Sequence, residues 1–226
     1  NDICGFMLET FQGWGAVFYP KEFVQAIEDI CIKNNILLTF DEMQSGFART
    51  GKKFGYEHYE VQADLLCCGK GIASGFPLSA VIGTAEIMDL PEVGNMSSTH
   101  SANPFVCAAG QATLEEIDSL DLVQETERKG RILFDKLNKL KDEYPDRISW
   151  VLGKGLLAAL LFKKPDSQEP DSLLPSIISE KAMQKGLLVV HTGRESIKIG
   201  PPLTITDDAL LEGIDVLHES IDEGIN

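Results

Sequence analysis

Positive charge is the scarcest feature of this sequence: 20 Lys and Arg stand against 35 Asp and Glu, a formal net charge of -15. Surfaces that take phosphate backbones or anionic lipid need clustered cations, so neither a nucleic-acid nor a membrane partner is expected. Cysteine pairs are missing as well. Cys4, Cys31, Cys67, Cys68 and Cys107 are odd in number and never spaced C-x-x-C. That pattern speaks against a disulfide framework or a zinc site, and predicts buried free thiols, no metal, and a reducing, cytoplasmic setting. No apolar run approaches the ~20 residues that span a bilayer, and no signal-peptide pattern opens the chain. Asn1 stands where an initiator methionine would, beside what reads as a core strand. The expectation is a piece of a longer chain, inactive alone, with the upstream part of any site lying outside it.

What is present suffices for a packed core: 226 residues, 43% of them hydrophobic, enough for one large or two modest domains. Residues 3–9, "ICGFMLE", read as a buried strand. "YPKEFVQAIEDICIKNN" reads as an amphipathic helix opened by Pro20, with Phe23, Ile27, Ile30 and Cys31 on its apolar face and Asn34-Asn35 at its end. "ILLTF", "ADLLCCG" and "PLSAVIG" read as further strands, the first in the style of a parallel sheet covered on both faces. Strand, helix, strand with short connections predicts a βαβ crossover and an α/β architecture. From Asn103 the pattern changes to two helices, "NPFVCAAGQATLEEI" and "LDLVQETERKGRILFDKLNKLKDEYP". Two strands follow around a Gly-Lys-Gly turn, then a polar loop, a helix, the strands "LLVVHTG" and "SIKIGPP", and a final helix. A boundary near residue 118 separates a larger domain (1–118) from a smaller α+β domain (119–226).

The stretch "ILLTFDEMQSGFARTGKKFG" poses a chemical question, because an apolar strand runs directly into Asp41 and Glu42. An unpaired charge behind Leu37, Leu38 and Phe40 would be costly to bury. In an open parallel sheet, ligands bind beyond the carboxyl ends of the strands. Two neighbouring strand ends would deliver Asp41 and, from "LLCCGKG", Lys70. A half-buried Lys70 between Gly69 and Gly71 would gain nucleophilicity by desolvation. A carboxylate facing an amine across such a gap suits pyridoxal phosphate, whose aldehyde needs a lysine and whose ring nitrogen needs an acid. Other readings fit each signal alone. Asp41 could cap a turn, and Lys70 could be a solvated turn residue. The strand could also be the magnesium-binding strand of a nucleotide hydrolase, although G-x-x-x-x-G-K-[ST] is not met at Lys70, where Asp64 and Gly71 occupy required positions.

Taken together, "LLTFDEMQSGFARTGKKFGYEHYEVQADLLCCGKGIASGFPLSAVIG" and "SSTHSANPFVCAAGQATLEEI" resemble the core of the class III (ornithine/4-aminobutyrate type) aminotransferases. The likeness runs on through "GKGLLAALLF", "KAMQKGLLVV" and "IKIGPPLTIT". It implies a fold type I pyridoxal-phosphate enzyme: part of a large domain with a mixed, mainly parallel sheet, followed by a small α+β domain. It also implies a homodimer with shared sites that moves an amino group from an amino acid or amine to a 2-oxo acid. By this resemblance Lys70 matches the Schiff-base lysine, which also shuttles the proton, and Asp41 matches the partner of the pyridinium nitrogen. Gln44 matches the amide near the phenolic oxygen. Thr99 matches the threonine that reaches the phosphate in the neighbouring subunit, and Glu9 matches a gate near the substrate carboxylate.

Departures from the family pattern are also legible. Lys198 stands where the family usually has a carboxylate-clamping Arg, and a point charge does not replace a planar fork. Arg194 would substitute if its hairpin turns it inward; otherwise Lys198 is an ordinary strand-end lysine. Thr10 and Trp14 replace Pro and Glu, and Trp14 either walls the substrate pocket or is a core or interface aromatic. On the same scaffold an aminomutase, racemase or decarboxylase would use the same Lys and Asp. A non-catalytic paralogue remains a further alternative.

Overall fold

A computed structural model describes residues 2–226. Two compact units result: one takes in the chain up to Thr10 together with Tyr19–Val123, the other Phe11–Phe18 and Gln124–Asn226. In chain order the strands and helices are β1 (Gly5–Glu9), β2 (Phe11–Gln12), β3 (Val17–Phe18), α1 (Lys21–Asn34), β4 (Leu37–Asp41), β5 (Leu65–Cys68), β6 (Ala80–Gly83), α2 (Ala85–Met88) and α3 (Pro104–Ser119). They continue with α4 (Leu122–Glu143), β7 (Ile148–Lys154), β8 (Leu157–Phe162), α5 (Leu174–Gln184), β9 (Val190–His191), β10 (Ser196–Ile199) and α6 (Asp207–Ile225). Single 3-10 turns cover Gly55–Tyr59 and Lys70–Ala73.

The first unit holds a four-stranded sheet in the order β1-β4-β5-β6. Strands β1, β4 and β5 are parallel, and β6 closes the edge antiparallel to β5. Helix α1 supplies the crossover between β1 and β4. Pro20 fixes its entry, and Asn35 ends it in the left-handed region at φ 53, which asparagine tolerates well. The buried stripe of α1 is Val24, Ile27 and Cys31, whereas Phe23 and Ile30 are exposed. The periodicity therefore identifies the helix and two of its buried residues, Ile27 and Cys31, while Val24 is buried in place of its neighbour Phe23. Strand β1, expected to be buried, is largely exposed, with Phe6 and Met7 open on opposite faces. As an edge strand it pairs only with β4. The thiols divide as well: Cys31 and Cys68 are buried and Cys67 half-buried, while Cys4 and Cys107 are exposed, against the expectation of burial.

The second unit holds an antiparallel sheet in the order β7-β8-β10-β9. Every residue of β8 is buried. Ala158, Leu160 and Phe162 join a core with Leu133 and Leu137 of α4, Ile178 of α5 and Leu217 of α6. The alternate residues Leu157, Ala159 and Leu161 pack with Phe11 and Ala16, at the β2–β3 hairpin. An unbroken apolar run fits this strand because both of its faces are covered. The β7–β8 turn lies at Gly155-Leu156, beyond the expected Gly-Lys-Gly, since Gly153 and Lys154 belong to β7. Gly153 has φ 125, and a Cβ there would meet the Leu157 carbonyl at 2.0 Å. The strand expected over "LLVVHTG" is only Val190–His191.

Candidate functional site

The carboxyl edge of the first sheet gathers most of the cofactor-type residues. Glu9 and Asp41 end neighbouring parallel strands and stand in register, and Asp41 is in register with Cys67 on its other side. Lys70 follows two residues after β5 ends. Asp41 is half-buried, and its Oδ1 accepts a hydrogen bond from the Met43 N–H at 2.9 Å. That short loop bond turns the carboxylate back over the end of its own strand. Gln44 is half-buried, with its Nε2 3.5 Å from Glu9 Oε1.

Lys70 differs from expectation in two ways. Its side chain is exposed rather than half-buried, so burial within this chain does not activate it. Its backbone has φ 43, a left-handed conformation that costs a non-glycine residue energy and recurs at functional sites. Gly69 before it lies close against Met43, since a Cβ there would meet Met43 Sδ unless that side chain moved. The strand end, the Met43 side chain and the Lys70 turn are thus packed together.

Glu42, not Asp41, is the fully buried charge at this strand end, with no exposed surface. Its Oε1 accepts from Thr10 Oγ1 at 2.6 Å and from the Tyr56 N–H at 2.7 Å. Its Oε2 accepts from Ser45 Oγ at 2.6 Å and from the Gly55 N–H at 2.8 Å. A buried carboxylate can be tolerated when its lone pairs are filled in this manner. Thr10, noted above only as a departure, is one of those partners, and its carbonyl accepts from the Tyr59 hydroxyl at 2.6 Å. Burial, with Glu42 as a smaller cause, pushes the Cys68 thiol up to about 11. Burial likewise lowers the Arg49 guanidinium from its ordinary value. None of this network was legible in advance, because its four donors come from three separate places in the sequence.

Thr99 lies in an exposed segment, and among the described residues no hydrogen bond joins it to Asp41, Gln44 or Lys70. The remaining candidates cluster within the second unit. The Arg194 guanidinium lies 4.6 Å from the centre of the Trp14 ring, a cation–π contact. The Trp14 indole donates to Gln12 Oε1 at 3.1 Å. Lys198 Nζ donates to the Gly13 carbonyl at 3.1 Å, and Ser196 Oγ to the Trp14 carbonyl at 2.8 Å. The "HTGRES" hairpin does turn Arg194 onto Trp14, and Lys198 is tied to the same short segment.

The family profile described as aminotransferase class-III matches residues 1–221. The chain belongs to the class-III aminotransferases. A 4-aminobutyrate aminotransferase of Mycobacterium leprae is 40% identical over 220 residues, covering 96% of this chain and 49% of that protein. An acetylornithine aminotransferase of Caldanaerobacter subterraneus is 33% identical over 224 residues, covering 99% and 54%. Among solved structures, an acetylornithine aminotransferase from Elizabethkingia anophelis superposes with a TM-score of 0.86 at 35% identity, over 97% of this chain and 54% of that one. The chain spans about half the length of the curated relatives it matches. Class-III aminotransferases are pyridoxal-phosphate enzymes of fold type I, and the mixed sheet of the first unit is of that kind.

The donor set fits that group: an amine on a strained turn after β5, a carboxylate at the end of β4 and an amide in the turn that follows it. Lys70 would hold the cofactor through its aldehyde, Asp41 through its ring nitrogen and Gln44 through its phenolic oxygen.

Proposed function

We propose that this chain carries the lysine-bearing part of a pyridoxal-phosphate-dependent aminotransferase, moving an amino group from an amino acid or amine to a 2-oxo acid. The carrying observation is the placement of Asp41 and Lys70 beyond the ends of neighbouring parallel strands, with Lys70 at φ 43. When bound, pyridoxal phosphate supplies an electron sink for the bond broken at the substrate's α-carbon. The protein's part is positional and electrostatic. Asp41 keeps a proton on the ring nitrogen through a charge-assisted hydrogen bond. Lys70 holds the aldehyde and afterwards carries a proton at its Nζ. Gln44 orients the phenolic side of the ring.

The substrate carboxylate is assigned to the cation cluster of the second unit. Arg194 offers the planar fork that Lys198 lacks, and Trp14 fixes its plane. Glu9, at the end of β1, is proposed as a gate residue. We further propose a homodimer in which Thr99 serves the phosphate of the partner's site. The exposed Val93 and Met96 beside it support this assignment. A reducing, cytoplasmic setting is supported by the exposed free thiols of Cys4 and Cys107.

The test is borohydride reduction of the complete polypeptide with pyridoxal phosphate, followed by peptide mapping. A pyridoxyl mass on the Lys70 peptide, lost in Lys70→Ala, is expected, together with a 2-oxo acid formed from the amino donor. No adduct on the complete chain would overturn the assignment and leave a non-catalytic relative.

A further inference from the structure

Taking Asp41 and Lys70 as the cofactor pair, we propose that Glu42 is a positioning residue for the cofactor: an anchor whose four hydrogen bonds fix Asp41 and Gln44 where the ring must meet them. Glu42 lies between these two residues in the chain and is the only one of the three fully buried. Its main chain is fixed first. The Glu42 N–H donates to the Cys67 carbonyl at 2.9 Å, which ties it to β5, and its own carbonyl accepts from the Gly46 N–H at 3.0 Å, which closes the turn through Gln44.

The side chain then reaches three further segments. Thr10 follows β1, Ser45 lies in the turn itself, and Gly55 and Tyr56 open the first 3-10 turn. Gly55 itself leaves no room for a side chain. A Cβ on Gly55 would lie 2.7 Å from Ser45 Cβ and 2.9 Å from Thr10 Cγ2. The Tyr59 hydroxyl adds a second layer by donating to the Thr10 carbonyl at 2.6 Å and accepting from the Tyr19 N–H at 3.1 Å.

All four donors to the carboxylate are neutral, and each oxygen receives one hydroxyl and one backbone N–H. An amide at this place would set its NH2 against a backbone N–H that can only donate, and a shorter acid would not span all three segments. The arrangement therefore selects a glutamate by charge, length and acceptor count. Its consequence is directional: β4 ends in a loop with one permitted conformation, so Asp41 and Gln44 are preset before any ligand arrives.

Thr10→Val removes one hydroxyl donor while nearly preserving volume, and Thr10→Ser keeps the hydroxyl. Both are made in the complete, cofactor-loaded enzyme beside Glu42→Gln and Asp41→Asn. Thr10→Val is expected to lower kcat roughly 10-fold, with the donor's KM within about twofold, because a displaced catalytic group weakens the reaction more than binding. It should also shift the pH titration of the bound cofactor's visible absorption in the direction that Asp41→Asn shifts it, and Thr10→Ser should restore both. If Glu42→Gln does not fold, the Thr10 pair still decides. A lower melting temperature with unchanged kcat and an unchanged absorption titration would make Glu42 a purely structural residue and overturn the proposal. If Asp41→Asn leaves that titration unchanged too, the cofactor assignment of Asp41 falls first and the role of Glu42 falls with it.

Discussion

The two units are built on opposite economies. In the second, strand β8 is sealed on both faces, and its core draws on α4, α5, α6 and the β2–β3 hairpin. Most of its ion pairs reach the surface, such as Arg128–Asp207 at 2.8 Å and Lys185–Glu223 at 2.9 Å, while Lys129 is buried and the Arg147–Asp171 pair at 3.0 Å is largely so. The first unit instead leaves Phe6, Met7, Val81 and Ile82 of its sheet exposed and buries a carboxylate, Glu42, at a strand end. Apolar burial holds the second unit together, whereas hydrogen bonds preset the geometry of the first. Hydrophobic contact is non-directional, and hydrogen bonds are directional. Cofactor-type residues accordingly sit where the fold relies on direction.

The contrast can be broken most severely from the apolar side. Leu160→Ala opens a cavity in the fully buried strand, at an expected cost of about 2–5 kcal/mol, read by thermal or urea unfolding. A loss below about 1 kcal/mol would show that β8 is not the core assigned to it.

On the polar side the expected result is reversed. Asp41→Asn should leave the melting temperature nearly in place while lowering turnover roughly 10- to 100-fold, the worth of one charged hydrogen bond. Parental turnover in that variant would remove Asp41 from the chemistry.

The third prediction concerns alkali. Burial pushes the Tyr59 hydroxyl up to about 12 and the Cys68 thiol up to about 11. The folded state then keeps protons that the unfolded chain has released. Stability is whole below the ordinary values, ~8.5 for a thiol and ~10 for a phenol, and declines as pH rises toward those raised values. Tyr144 in the second unit, raised to about 12 by burial, adds to the same slope. Melting temperatures between pH 8 and pH 11 test this. Cys68→Ala should flatten the earlier part of the decline, and an unchanged slope would deny the thiol any share.

The smallest effect belongs to the surface. Arg128 holds the Asp207 carboxyl below the usual range by hydrogen bonding, and Lys185 does the same for Glu223. A depressed acid contributes above its unfolded pKa and loses that contribution as pH falls through the folded value. Both carboxylates are solvated, so Asp207→Asn should change the acid midpoint of unfolding only slightly, and less in high salt. A large shift would mean that the second unit depends on its charges more than on its core.

Much of this organisation was legible from particular residues. Pro20 and Asn35 mark the ends of α1, the run "LLAALLF" marks a strand, and "FDE" with "GKG" marks two strand ends that meet in a parallel sheet. Local rules reach that far because capping and periodicity are properties of neighbours in sequence. Of the face expected for α1, Ile27 and Cys31 are buried but Phe23 and Ile30 are not, since a helix's own pattern does not say how much of an apolar stripe its sheet will cover.

By itself, then, the sequence determined the element types and the family. Only the tertiary structure decided which of two adjacent carboxylates is buried. Asp41 and Glu42 are both acids at the same strand end, but only Glu42 meets donors from Thr10, Ser45, Gly55 and Tyr56. Likewise it placed Arg194 on Trp14 and tied Lys198 to Gly13, joining residues 180 and 185 positions apart. The physical reason is common to both cases: a charge is settled by the donors and acceptors around it in space, and the chain order of those groups carries no record of their meeting.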